Sequence, residues 1–290
     1  MADHLVVEPP PFEQPPLPSE TFAGRAVMVT GGGSGMGLAM ANAFAQFGAS
    51  VALMGRTLEK VEASAAQLAK LGVKTVGVSA DVRDPDQIAA AFDKAEATLG
   101  PVTLLANNAG GNFPVLADTM STNAWRAITQ IAIDGTFLAS AELARRCKAR
   151  GDAAAIVNNS AQYIWTGFPG DAHSAAAKTA VATMSRKMAA EWRGDNIRVN
   201  CVAAGFFPHA DSISGNNPDH AVLLDGMMPA GRVGRIREFG WVSAFLCSPY
   251  ASGINGEILM IDGGESLRKS LMSPPFIPPR ERSQIWGYEA

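Results

Sequence analysis

The stretch Thr30-Gly31-Gly32-Gly33-Ser34-Gly35-Met36-Gly37 closes a short apolar run, Ala26–Thr30, and opens a helical pattern, Met36–Phe47. Glycines clustered in a turn say little by themselves. At the junction of a first strand and a first helix they say more, because backbone amides and a helix N-terminus meet there and can hold a pyrophosphate. Gly31 permits the tight turn, Gly35 lets phosphates approach the backbone, and Gly37 lets the helix lie close to the sheet. Gly33, Ser34 and Met36 complete the loop that would face the phosphates.

Working outward, β-branched apolar runs alternate with helical patterns along most of the chain. Strands are predicted at Ala26–Thr30, Ser50–Met54, Lys74–Ser79, Val102–Asn107, Ala154–Asn158, Ile197–Val202 and Glu257–Ile261. Helices are predicted near Met36–Phe47, Leu58–Leu71, Pro85–Thr98, Asn123–Ala149, His173–Arg193 and Arg235–Leu246. Buried runs separated by helices indicate an α/β fold, a Rossmann-type doubly wound parallel sheet of about seven strands with helices on both faces. With no break in composition, one domain is expected over residues 24–265. A proline-rich arm, residues 1–23, precedes it, as either a disordered leader or an arm packed on a neighbouring subunit. A proline-containing tail, residues 266–290, follows.

Bulk composition removes several function classes. The 290 residues carry a net charge of -3, which offers nothing to a polyanion such as nucleic acid. No apolar run is long enough to span a bilayer. Three cysteines, Cys147, Cys201 and Cys247, lack metal-ligand spacing and read as buried thiols of a reducing, cytoplasmic compartment. No metal site is expected.

The ends of the predicted strands then specify the ligand. The second strand ends Leu53-Met54-Gly55-Arg56, with glycine where an acid would hold the ribose hydroxyls of NAD. The Arg56 guanidinium can instead take a 2′-phosphate, so NADP(H) is the expected cofactor. Asp81 and Val82 end the third strand, suited to the adenine. Asn108, Ala109 and Gly110 end the fourth.

With these motifs, and a lysine, Lys178, on the helix after the fifth strand, the chain resembles the short-chain dehydrogenase/reductase family over about residues 22–265. The resemblance implies that Lys178 bonds the nicotinamide ribose and lowers a neighbouring acid's pKa, and that backbone near Gly205 and Phe207 meets the carboxamide. The family's tyrosine, four residues before the lysine, is replaced by Ser174, and its partner serine by Ala161. Tyr163 lies 11 residues before Ser174. That displacement resembles the 2,4-dienoyl-CoA reductases, which carry their active tyrosine at this spacing. The likeness implies a catalytic group of Tyr163, Lys178, Ser174 and Asp134, and substrate contacts from Asn112, Phe113, Tyr163 and Phe206. Asp134 takes the place of an asparagine before Gly135-Thr136. To donate to an oxyanion it must be protonated, which requires burial; otherwise the resemblance implies that it positions water or Lys178.

Apolar Phe113, Trp165, Phe168, Phe206 and Phe207 would suit an acyl chain, and Phe206–Gly231 has the length of a substrate lid. The partner implied is a small acyl-CoA-type molecule. The small residues of the His173–Arg193 helix imply the homotetramer of the family. His173, at a helix start, is expected to be exposed. Two other activities stay open: a carbonyl reductase or alcohol dehydrogenase with a rearranged proton donor, and a cofactor-binding sensor without chemistry.

Overall fold

The computed structural model describes residues 9–167, 169–209 and 228–267. Seven parallel strands, β1 (Ala26–Thr30), β2 (Ser50–Gly55), β3 (Thr75–Ser79), β4 (Val102–Asn107), β5 (Ala154–Ala161), β6 (Ile197–Ala204) and β7 (Ile258–Ile261), form one sheet in the order β3-β2-β1-β4-β5-β6-β7. The strand order reverses between β1 and β4, so the loops after these two strands part and leave a crevice.

Two apolar layers cover the sheet, and β1 supplies both by simple alternation. Val27 and Val29 join the layer made with α1 (Gly35–Gln46), α2 (Leu58–Leu68) and the helix Ile236–Cys247, here α7. Ala26 and Met28 join the layer made with α3 (Pro85–Leu99), α5 (Gly135–Arg150) and α6 (Ala172–Glu191). α4 (Thr122–Thr129) precedes α5.

Two differences from the sequence reading bear on the site. β5 and β6 run three and two residues further than predicted, to Ala161 and Ala204, where their small side chains pair across the sheet. The predicted single helix Asn123–Ala149 contains a π-helical turn at Gln130–Asp134 between α4 and α5. Such turns insert an extra residue and re-aim the side chains around them.

Within the described part of the arm, residues 9–23 lie on the chain's own body. Arg237 of α7 donates to the carbonyls of Pro9 and Pro10 at 3.0 and 2.9 Å, Gln46 of α1 donates to the carbonyl of Phe12, and Phe22 is fully buried in the core. The middle of the predicted lid, residues 210–227, together with Phe168 and the tail from residue 268, lies outside the described residues.

Gly31 has φ 63°, and a Cβ on Gly37 would stand 2.2 Å from the Gly31 carbonyl oxygen. The loop and the first turn of α1 are thus packed backbone to backbone. Gly37→Ala is expected to destabilise the fold by about 1–3 kcal/mol through overpacking and to abolish dinucleotide binding, measured by denaturant titration and by binding isotherm.

Candidate active site

A cavity of about 540 Å³ opens at the C-terminal ends of β1, β4, β5 and β6. The hydroxyl of Thr30, 2% exposed at the end of β1, holds its two sides in register. It accepts from the backbone amides of Asn108 at 3.0 Å and Ala109 at 3.1 Å, fastening the loop after β4 to the glycine turn. Asn108 also accepts from Asn159 Nδ2 at 2.9 Å, which extends the connection to β5.

The structure brings most of the sequence-predicted residues to this cavity. Gly31, Ser34, Gly35, Met36, Asn108, Ala109, Gly110, Gly205 and Phe207 line it, with Lys178, Tyr163 and Ser174 on its far wall and Asn112 and Phe206 beside them. The N-terminus of α1 faces the cavity without an acid in its first turn, and Ser34 makes no side-chain cap bond. These amides and the helix dipole are therefore available to an anion. The glycine cradle and the open helix end fit the pyrophosphate of a nicotinamide dinucleotide.

Other predicted residues lie elsewhere. Gly33, Arg56, Asp81 and Val82 are outside the cavity lining, around the ends of β1 to β3, and Val82 is buried against Gly135. Asp81 is held by Arg83 at 2.5 Å, which keeps its carboxyl at about 2, with a smaller contribution from Arg56 nearby. Phe113 does not line the cavity, and its ring stands edge-on to His173, centroids 4.8 Å apart. Trp165 is 52% exposed. Asp134 is exposed and outside the lining, so the burial it would need as a donor is missing. Gly135, Thr136 and Ala132 take the inward-facing positions around the π-helical turn.

At the far wall, Tyr163 Oη and Ser174 Oγ are 2.7 Å apart. Tyr163 stands on the short helical turn after β5 and Ser174 in the first turn of α6, so the two elements converge on one point. Lys178, one turn further along α6, donates from Nζ to the Asn159 carbonyl at 2.7 Å. Burial pushes the Tyr163 phenol up to about 12, and the bond to Ser174 pulls it back only in part. Burial likewise lowers Lys178 to about 8. Desolvation dominates both groups, and Lys178 is not among the groups that shift Tyr163 in the free chain. Ala161 leaves no hydroxyl where the partner serine would stand, and neighbouring Ser160 donates to the Lys178 carbonyl at 3.0 Å.

Several cavity residues carried no sequence signal. Asp171 and Gln162 line it, and Gln162 donates to Glu265 at 2.9 Å. His209 packs its ring over Gly35, 3.0 Å from where a Cβ would be. His173 is fully buried rather than exposed, with neither ring nitrogen hydrogen-bonded. Only its place at a helix start was legible, and that pointed the wrong way. Among the described residues no group of His, Cys, Asp and Glu is placed to hold a metal ion, and no helix is long and apolar enough to cross a membrane.

A doubly wound sheet with a pyrophosphate cradle at its switch point, and a lysine and a tyrosine beside it, defines a nicotinamide-dependent oxidoreductase. Comparison with known proteins makes this specific. Residues 31–266 match the family model described as enoyl-(acyl carrier protein) reductase. A probable (3E)-enoyl-CoA-producing 2,4-dienoyl-CoA reductase of Caenorhabditis elegans is 36% identical over 259 residues, 87% of this chain and 84% of that one. A short chain dehydrogenase from Bacillus anthracis superposes with a TM-score of 0.78 at 35% identity, covering 85% and 98% of the two chains. A gluconate 5-dehydrogenase from Burkholderia cenocepacia, solved with NADP and tartrate, gives 0.80 at 30%, covering 87% and 99%. The chain belongs to the short-chain dehydrogenase/reductase family.

Lys178 sets a pH-dependent balance between stability and function. Its pKa falls from 10.5 unfolded to about 8 folded, so between these values the unfolded chain binds the extra proton and stability rises with pH. Below pH 8 the buried charge is a burden. Lys178→Met is expected to gain about 1–3 kcal/mol at pH 7, discounted because the residue is only half-buried, and to lose that gain as pH climbs from 8 towards 10.5. Urea titrations across that range check this.

Proposed function

We propose that the chain reduces a 2,4-dienoyl-CoA with NADPH in fatty-acid degradation. The observation that carries this reading is the 2.7 Å contact between Tyr163 and Ser174, which puts the displaced phenol beside the position of the family's usual acid. When bound, the dinucleotide supplies a hydride to the δ-carbon of the conjugated thioester.

The residues supply the rest. Charge from the hydride moves through the diene onto the thioester oxygen. Tyr163, protonated up to about pH 12, donates a hydrogen bond to that oxygen without surrendering its proton. Ser174 fixes the phenol's direction. The Lys178 ammonium, anchored on the Asn159 carbonyl, orients the ribose hydroxyls. Asn112 and Phe206 flank the acyl group. Asp134 has no part in the site as the single chain forms it.

NADPH is favoured over NADH because Gly55 ends β2 without an acid and the exposed Arg56 stands close enough to act on Asp81. The NADP complex of the Burkholderia relative supports the same choice. Exposed Trp125 of α4 and Phe137 of α5, with the small residues of α6, support a homotetramer, which sedimentation equilibrium at monomer mass would remove. Three buried free thiols support a reducing, cytoplasmic location, to be checked by cell fractionation.

The deciding assay follows NADPH oxidation by the purified protein with 2,4-hexadienoyl-CoA. Turnover is expected, with Tyr163→Phe about 100-fold slower. Arg56→Ala is expected to raise the KM for NADPH and leave that for NADH unchanged. Turnover of ketones without thioesters would give the site to a carbonyl reductase instead. Silence with both would leave a sensor.

A further inference from the structure

Reduction at the δ-carbon leaves an electron pair that must be closed by a proton at the α-carbon, and none of the groups discussed so far is suited to give it. Tyr163 is a weak acid already committed to the thioester oxygen, and Lys178 is anchored on Asn159. His173 does not line the cavity, and His209 stands at the opposite end, over Gly35. Among the described residues that line the cavity, Asp171 carries the one carboxyl.

Asp171 occupies the N-cap position of α6, where an aspartate ordinarily accepts from the first amides of the helix. Here its side chain makes no cap bond. It turns to the loop after β4, where Oδ1 accepts from Asn112 Nδ2 at 2.8 Å. With the amide on Oδ1, Oδ2 is left for a proton, and both residues line the cavity with Tyr163 and Ser174. At 7% exposure, Asp171 meets the burial condition that exposed Asp134 fails. The titratable groups that interact with it are Tyr163 and His173, and among the described residues no ion pair holds the carboxylate. Burial raises its pKa, and the Asn112 bond offsets only part of that rise.

Resting on the dienoyl thioester reading, we propose that Asp171 is the general acid that protonates the substrate's α-carbon, with Asn112 positioning its carboxyl. The Oδ2–H bond breaks and the Cα–H bond forms with the electron pair left by hydride addition. The remaining double bond lies between the β- and γ-carbons, and the Asp171 carboxylate regains its proton from water.

The test compares wild type, Asp171→Asn and Asn112→Ala with 2,4-hexadienoyl-CoA and NADPH across pH, alongside dinucleotide binding and thermal melts. An acid must be protonated to act, so wild-type kcat is expected to fall as pH rises through the raised pKa of Asp171. Asp171→Asn is expected to lose about 100-fold in kcat and to lose that alkaline limb, with the dinucleotide Kd held within about twofold. Asn112→Ala, which removes a bond favouring the carboxylate, is expected to keep the limb and move it to higher pH. A wild-type rate in Asp171→Asn, or a limb that neither variant alters, overturns the assignment of Asp171 alone. A wild type inert toward the thioester overturns the substrate reading and, with it, the proton's destination.

Discussion

The Thr30 hydroxyl accepts two backbone amides from across the crevice, and the geometry of the site depends on that pair of bonds. β1 and β4 are neighbours in the sheet, yet their chains leave in different directions at the switch point. Without a fastening, the glycine turn and the Asn108–Asn112 loop would be free to separate. Thr30 ties them where both must face one ligand. The connection continues from Asn108 to Asn159 and from the Asn159 carbonyl to Lys178. These bonds link three strand ends and α6 through short side-chain and backbone contacts, although the buried Asn159 Oδ1 has no partner among the described residues.

On the proposed reading, that connection lets the wall beyond β5 dispense with the family's usual residues. The site keeps the lysine and its carbonyl anchor, and shifts the phenol onto the short turn Gln162–Trp165. Ser174 at the vacated position is too weak an acid to replace a phenol, but it is close enough to orient one. Desolvation then sets the character of each group: a phenol that stays protonated, an amine poised near neutrality, and a carboxyl pushed upward.

Much of the fold was legible because it rests on periodicity. The alternation that sends Val27 and Val29 to one layer and Ala26 and Met28 to the other is visible in the letters, as is the glycine turn that ends β1. The pyrophosphate end of the site was legible for the same reason, since glycine spacing is a local property. What escaped depended on direction. A π-helical turn at Gln130–Asp134 leaves no mark in composition, yet it accompanies the outward placement of Asp134. Asp171 and His173 sit at a helix start, where sequence favours a cap and an exposed ring. The structure buries both because the loop carrying Asn112 and Phe113 closes over them.

The N-terminal segment has a consequence of another kind. Its prolines restrict the backbone before folding, so laying residues 9–23 across α1 and α7 sacrifices less chain entropy than a flexible strap would. The helix it braces begins at the glycine turn. The strap's bond to α1 falls on Gln46, at the end of that helix away from the glycine turn, so it pins the far end of the element whose first turn opens the proposed phosphate cradle.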